Sequence, residues 1–263
     1  MKKYLFIYKS ELMSSLQYIF NVFTSLITYF VLIFIFVNLW SYLYDNPSEL
    51  INGYSKSQMI WYVIITEILW MSLKGRKLCV SISKDIRSGN VAYNINKPYN
   101  YVGYILMNHL GKISIQFIFY LIFGIIIGCL FLGKLPVLNL VNAICILLTF
   151  VLALIISTLL SCFIGLFSFF IEDSSPFYWV YSKFILILGT LFPIEFFPKI
   201  IQPIIKFSPI YAVNYGPAKL FVEFDLKMFL SVLIIQIVYV ILIIILCNLV
   251  YRKGVKNLNV NGG

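Results

Sequence analysis

Glu67 stands alone inside the apolar stretch IWYVIITEILWMSL. An ionised carboxylate at the centre of a membrane-crossing helix costs roughly 2.5–3.5 kcal/mol on insertion scales. Glu67 must therefore meet a partner, a wet cavity or a proton. Two readings stand: a contact for cationic groups on a translocation path, and a structural hydrogen bond within a helix bundle. Other titratable chemistry is sparse. His109 is the single histidine and lies beside a predicted membrane boundary, where a polar packing role suffices. Glu172 and Asp173 are adjacent, so on a helix they point about 100° apart. They suit capping and solvating the turn before Pro176 better than paired acid–base work. No group of His, Cys, Asp and Glu has metal-ligand spacing. There is no G-x-x-x-x-G-K-[ST] phosphate loop and no G-x-S-x-G elbow. Cys79, Cys129, Cys145, Cys162 and Cys247 lack CxxC spacing and read as small buried apolar residues. The chain is expected to be no enzyme, with no nucleotide site, cofactor or metal of its own.

The elements that carry these residues follow from composition. Of 263 residues, 61% are hydrophobic and 11% charged, against about 45–50% and about 25% in soluble domains. The mean hydropathy is +0.95. One soluble core of this size cannot hide that surface, so the expected class is an all-α polytopic membrane protein. Six apolar stretches are near Phe20–Trp40, Gln58–Val80, Leu110–Leu132, Val137–Phe170, Phe177–Phe192 and Met228–Tyr251. They are continuously apolar rather than alternating, which favours helices over a barrel. The fourth is too long for a straight crossing and predicts a tilt or a break near Gly165. Lys183 can snorkel from the fifth to the inner surface. With both termini inside, fourteen lysines and arginines fall on the cytoplasmic side and six outside, as the positive-inside bias requires. The net charge of +10 is thus an orientation signal, not a nucleic-acid footprint. The first apolar stretch lacks a small-residue cleavage site and reads as an anchor.

Three segments lie outside the spans. In residues 1–19, Leu5, Tyr8, Leu12, Leu16 and Ile19 share an arc of about 80°, with Lys3, Ser10, Ser14 and Gln17 opposite. This predicts a helix in the inner membrane surface, its lysines near anionic headgroups; a cytoplasmic extension of the first span is the alternative. Segment Lys74–Lys112 predicts a rigid continuation of the second span, a short helix at Ser83–Ser88, and a stop at Gly89. Pro98 then opens a second helix at a first-turn position; a plain solvated basic loop is the alternative. Segment Phe192–Asp225 carries Pro193, Pro198, Pro203, Pro209 and Pro217 yet stays apolar. Prolines forbid one helix and apolarity argues against floating in water. Short broken helices dipping into the outer leaflet satisfy both.

Two of these stretches resemble the permease subunits of the type-2 ABC exporter family. Asp85-Ile86-Arg87-Ser88-Gly89-Asn90-Val91, with Pro98 nine residues after Gly89, is similar to that family's cytoplasmic coupling loop. Phe192-Pro193-Ile194, Phe197-Pro198, Ile201-Gln202 and Ser208-Pro209 are similar to its proline-rich outer hairpin. The later placing of Gly111-Lys112, and Gly216-Pro217-Ala218-Lys219 where an arginine is usual, mark a divergent branch. The resemblance implies one transmembrane permease domain over 1–263, with a connecting helix at 1–19, a coupling loop at 81–98 and a re-entrant hairpin at 192–225. It implies a second permease chain, identical or paralogous, and separate ATPase subunits that hold the ATP and Mg. Ser83, Lys84, Asp85, Ile86, Arg87, Ser88 and Gly89 would dock on the ATPase. Phe192, Pro193, Phe197, Pro198 and Pro209 would build an outer gate, and Glu67 would be a candidate for the substrate path. The implied function is export of an amphipathic substrate, a drug, antimicrobial peptide or lipid-like compound, from a bacterial cell membrane. An ion-coupled secondary transporter is the competing reading; a lipid-acting membrane enzyme and a scaffold rank behind it. Membrane lipids are expected partners and nucleic acid is not.

Overall fold

A backbone surrounded by apolar side chains has only itself to hydrogen-bond with, and 84% of the chain is helical with no strand among the described residues. The computed structural model describes residues 2–17, 19–44, 46, 49–73, 75–95, 97–136 and 139–260. Its helices are α1 (Lys2–Gln17), α2 (Ile19–Leu43), α3 (Lys56–Leu73), α4 (Gly75–Arg87), α5 (Val91–Ile95), α6 (Tyr101–Leu132), α7 (Leu140–Leu166), α8 (Ser175–Ile185), α9 (Gln202–Lys206), α10 (Gly216–Val222) and α11 (Leu226–Val260). Met1, Tyr18, Lys74, Val137 and the Ile19 side chain, which the sequence reading used, lie outside the described residues.

Among the described residues, four helical stretches are long and apolar enough to cross a membrane: Val22–Leu43, Tyr101–Leu132, Leu140–Phe169 and Leu226–Lys256. They correspond to the first, third, fourth and sixth expected stretches. The second is a helix more polar than these, because Lys56, Gln58 and Glu67 share the 18 residues of α3. Thirteen of those residues are buried, so α3 is the central helix of the bundle. The fifth is divided between α8, of 11 residues, and a π-helical segment, Leu186–Leu191.

The close packing of α3 depends on α6. A Cβ at Gly124 would lie 2.6 Å from both the Ile68 Cδ1 and the Tyr29 hydroxyl. A Cβ at Gly128 would overlap the Trp61 ring. This small-x-x-x-small pair lets α3 and α6 approach as only small residues allow. At one end of the bundle α7 stops at Leu166 and tightens into a 3₁₀ turn at Phe167–Phe169, close to the expected break at Gly165. At the same end α6 starts at Tyr101 with Asn100 as its cap, the Asn100 side chain accepting the Gly103 N–H. This corrects the expected Pro98 start. The side-chain cap satisfies an orphan N–H, while Pro98 stays in the connector and its carbonyl accepts from the Lys3 ammonium.

Of the lever expected to continue the second span to Ser88, α3 and α4 are described on either side of Lys74, which lies outside the described residues, and the two have different partners. α3 packs on α2, α6 and α10, whereas α4 packs on α7 and α8. The N-terminal helix α1 runs beside the start of α6. Tyr4 packs over Gly103, and the Tyr8 hydroxyl donates to Ser114 Oγ at 3.0 Å. Of the expected apolar face, Tyr8 and Leu12 turn towards the protein, while Leu5 and Leu16 are exposed with Phe6 and Met13.

Candidate functional site

Residues 83–89 lie at the end of α4. Its inward positions, Gly75, Cys79, the adjacent pair Ile82 and Ser83, and Ile86, follow helical spacing and are all buried. Ser83 bonds to Ser168, Ser168 donates to Ser174 at 2.9 Å, and Cys79 Sγ lies 3.4 Å from Ser174 Oγ. This polar seam fastens α4 to the 3₁₀ turn after α7 and to the start of α8. Burial pushes the Cys79 thiol up from its usual range, opposed by its Ser174 bond. The opposite face is open: Lys84, Arg87, Ser88 and Gly89 are exposed and Asp85 is half-buried. Burial also raises the Asp85 carboxyl, with Lys84 opposing. Gly89 ends the helix at φ 74°, as expected of its position. The structure thus divides the seven residues: Ser83 and Ile86 hold the helix, and the other five present a charged tip.

Beside this tip, Asp173 Oδ1 accepts from both the N–H and the hydroxyl of Ser175. Those bonds hold the Asp173 carboxyl below the usual carboxylate range. It caps the turn before α8, as the sequence suggested. His109 is buried, with Nε2 3.0 Å from the Leu73 carbonyl. It links α6 to the end of α3. The cysteines are free thiols, buried or half-buried.

Glu67 is 2% exposed. It sits in α3 near Tyr29 of α2, and Oε2 has no hydrogen-bond partner among the described residues. Tyr29 and Tyr120 meet edge to face at 5.4 Å. Glu67 and Tyr29 therefore lie buried within this chain's own packing.

The proline-rich segment is packed on the far end of the bundle. Pro193 is buried, Phe197 and Pro209 are half-buried, and Phe192 and Pro198 are exposed. Phe192 and Phe196 meet the edge of Trp40 at the end of α2. Between them Glu195 accepts hydrogen bonds from Tyr54 and Tyr215. Lys219 stands 4.2 Å from the Tyr54 ring centre and bonds Glu223. The π-helical segments Leu186–Leu191 and Tyr211–Tyr215 pack together here. Tyr62 donates to the Gly189 carbonyl and Thr66 to that of Thr190, each at 3.0 Å. Irregular backbone inside a bundle needs such donors, and π segments often mark moving parts. The sequence reading missed Tyr54, Tyr62, Thr66, Glu195 and Tyr215. Their signal was a carboxylate, Glu195, in the otherwise apolar run FPIEFFP.

A family model described as "ABC-2 family transporter protein" matches residues 26–262. No curated protein and no solved structure matches the chain.

Proposed function

The chain belongs to the ABC-2 transporter family and is a multi-pass membrane permease, and from that premise we propose how it exports. It works with separate ABC ATPase subunits, beneath a translocation path shared with a second permease chain, identical or paralogous. The cargo is an amphipathic compound: a drug, an antimicrobial peptide or a lipid-like molecule. α2, α3, α6, α7, α8 with Leu186–Leu191, and α11 make six crossings. The α4 end faces the cytoplasm of a bacterial cell, with both termini. The cations at that end, among them Lys84, Arg87, Arg252 and Lys253, support this orientation. The 192–225 segment closes the outer end, a re-entrant hairpin.

One observation carries the reading: the division of α4 into a held face and an open charged tip. A coupling element must be fixed to what it moves and free towards what drives it. Ser83 and Ile86 do the first, while Lys84, Asp85, Arg87, Ser88 and Gly89 are placed for the second. ATP and Mg stay in the partner. Closure of the ATPases would push on the tip and, through α4, on α7 and α8. The exposed Leu5, Phe6, Met13 and Leu16 of α1 support a membrane-surface position for the connecting helix. Glu67 enters as the acidic group that a cationic cargo would meet when α2 and α6 part. An ion-coupled secondary transporter is not favoured, since Glu67 forms no ion pair among the described residues.

The test is co-purification with an ATPase, followed by Asp85→Lys. The variant should insert and assemble, yet lose substrate-stimulated ATP hydrolysis. Normal stimulation in the purified variant complex would sink the docking reading. Export driven by a proton gradient without ATP would favour the competing one.

A further inference from the structure

α4 packs on α7 and α8, while α1 packs on α6. Between these two pairs lies a cavity of about 600 Å³, within the range of sites for drug-sized ligands. Lys77, Ser81 and Asp85 supply one wall from a single stripe of α4, spaced four apart. α6 supplies the other, from Tyr101 to Gln116, and Glu11 and Val22 close it.

The wall chemistry is ordered along its length. α4 runs antiparallel to this part of α6, since the Leu73 carbonyl meets His109 at one end and Asp85 shares the cavity wall with Tyr101 and Tyr104 at the other. The Asp85 end is therefore the cytoplasmic mouth. It offers a carboxylate and two tyrosine rings. The Tyr101 hydroxyl is buried with no hydrogen-bond partner among the described residues. About 12 Å deeper, two helical turns along, come Lys77 and Lys112. Lys112 is 3.8 Å from Glu11, whose other oxygen accepts from Asn108, while Asp85 forms no ion pair among the described residues. Beyond the lysines the wall is mainly apolar, at Val22, Ile113 and Ile115, and ends on Gln116. From the cytoplasm inwards the charged groups run from Asp85 beside two tyrosines to Lys77 and the Lys112–Glu11 pair, with Ile82, Leu78 and Ile105 between them, and the deepest level is mainly apolar.

We propose that this cavity binds one zwitterionic phospholipid of the inner leaflet, of the phosphatidylethanolamine type. The ammonium group lies at Asp85, Tyr101 and Tyr104, the phosphate between Lys77 and Lys112, and the chains along Val22, Ile113 and Ile115. A zwitterionic headgroup presents its charges in that order: amine outermost, phosphate beneath, hydrocarbon deepest. An anionic lipid would leave Asp85 opposed by negative charge, and a cationic amphiphile would leave Lys77 unmatched. Carboxylate and aromatic faces both attract ammonium. The inference rests on the orientation proposed above and on neither the ATPase nor the cargo. A bound lipid would fill the gap behind the coupling helix and set its distance from α6.

The full chain, purified in mild detergent without ATPase, is mixed with equal amounts of phosphatidylethanolamine and phosphatidylglycerol and read by native mass spectrometry. One phosphatidylethanolamine should remain bound, and adding it should raise the unfolding temperature. Asp85→Asn should bind it about tenfold more weakly, the scale of one charge-assisted hydrogen bond. Ser81→Phe, from an exposed position on the wall, should abolish retention. Lys9→Ala, an exposed cation of α1 outside the cavity, should retain it. No retained lipid, equal retention of the two lipids, or wild-type retention by both Asp85→Asn and Ser81→Phe would overturn the proposal. Because no ATPase is present, lost coupling in Asp85→Lys and lost lipid are separate outcomes.

Discussion

The Tyr54 hydroxyl reaches the Glu195 carboxylate at 3.0 Å across 141 positions of sequence. It joins the turn before α3 to the segment that follows the π-helical end of α8. Burial, and then the Glu195 charge, push the Tyr54 hydroxyl up from its ordinary range, so it stays a donor at any working pH. Hydrogen bonds to charged groups contribute about 1.5–3 kcal/mol. Tyr54→Phe should therefore lower stability in detergent by about 1–3 kcal/mol, and Glu195→Ala, which strands two tyrosine hydroxyls, should cost more. If the segment is a gate held by this bond, a cysteine at exposed Phe207 should also label faster in Tyr54→Phe. Unchanged melting and labelling would show that the bond holds nothing.

Gly128 and Trp61 set the closest approach between α6 and α3. Trp61 is 2% exposed and cannot yield easily. Gly128→Ala should destabilise by about 1–3 kcal/mol, as overpacking does. Trp61→Leu in the same chain should recover part of that loss, because the methyl group then has room. A thermal double-mutant cycle reads the coupling. Additive losses would mean that the contact is not the constraint.

Much of this architecture was legible because its causes are local. Continuous apolar runs, the stop at Gly89 and the end of α7 near Gly165 follow from backbone chemistry that neighbours in sequence dictate. What escaped was set by distant packing. Glu67 and Lys56 made α3 less apolar than a free crossing, which only its central burial explains. The Asn100 side chain outcompeted Pro98 for the start of α6. The cavity was hidden for the same reason. Asp85, Lys77 and Lys112 lie on two elements, and nothing in either element alone shows that α4 packs on α7 and α8.

The faces of α4 separate two kinds of variant. Ile86 is 5% exposed, and Ile86→Ala should cost about 2–5 kcal/mol of stability, as large-to-small core changes do. Arg87→Glu changes an exposed position and should leave melting within about 0.5 kcal/mol. Under the docking proposal it should nonetheless reduce substrate-stimulated hydrolysis and co-purification with the ATPase. Equal effects of both variants on melting, with none on hydrolysis, would dissolve the distinction between the two faces.

Asp173 gives a pH dependence with a definite sign. Its bonds from Ser175 depress its folded pKa. The contribution is fully present above the unfolded value and is lost as pH falls through the lower folded one. Hydrogen exchange at the Ser175 amide should therefore stay protected at neutral pH and lose protection only below the usual carboxylate range. Asp173→Ala should remove that step, because no titrating acceptor remains. A step at higher pH would place the protecting acid elsewhere.

Glu67 decides how the interior treats charge. Its Oε2 is buried without a described partner, and Tyr29 of α2, itself packed on Tyr120 of α6, stands beside it. A residue serving only as packing should tolerate Glu67→Gln, which keeps the shape and removes the ionisable proton. A residue that meets a cationic cargo should not. In reconstituted vesicles containing the ATPase, Glu67→Gln should reduce transport of a cationic amphiphile by about tenfold, one lost charge-assisted contact. Transport of a neutral analogue should be unchanged. Gln keeps the shape of the side chain, so the unfolding temperature should move little. Equal transport of both compounds by wild type and variant would assign Glu67 to the packing of α3 alone.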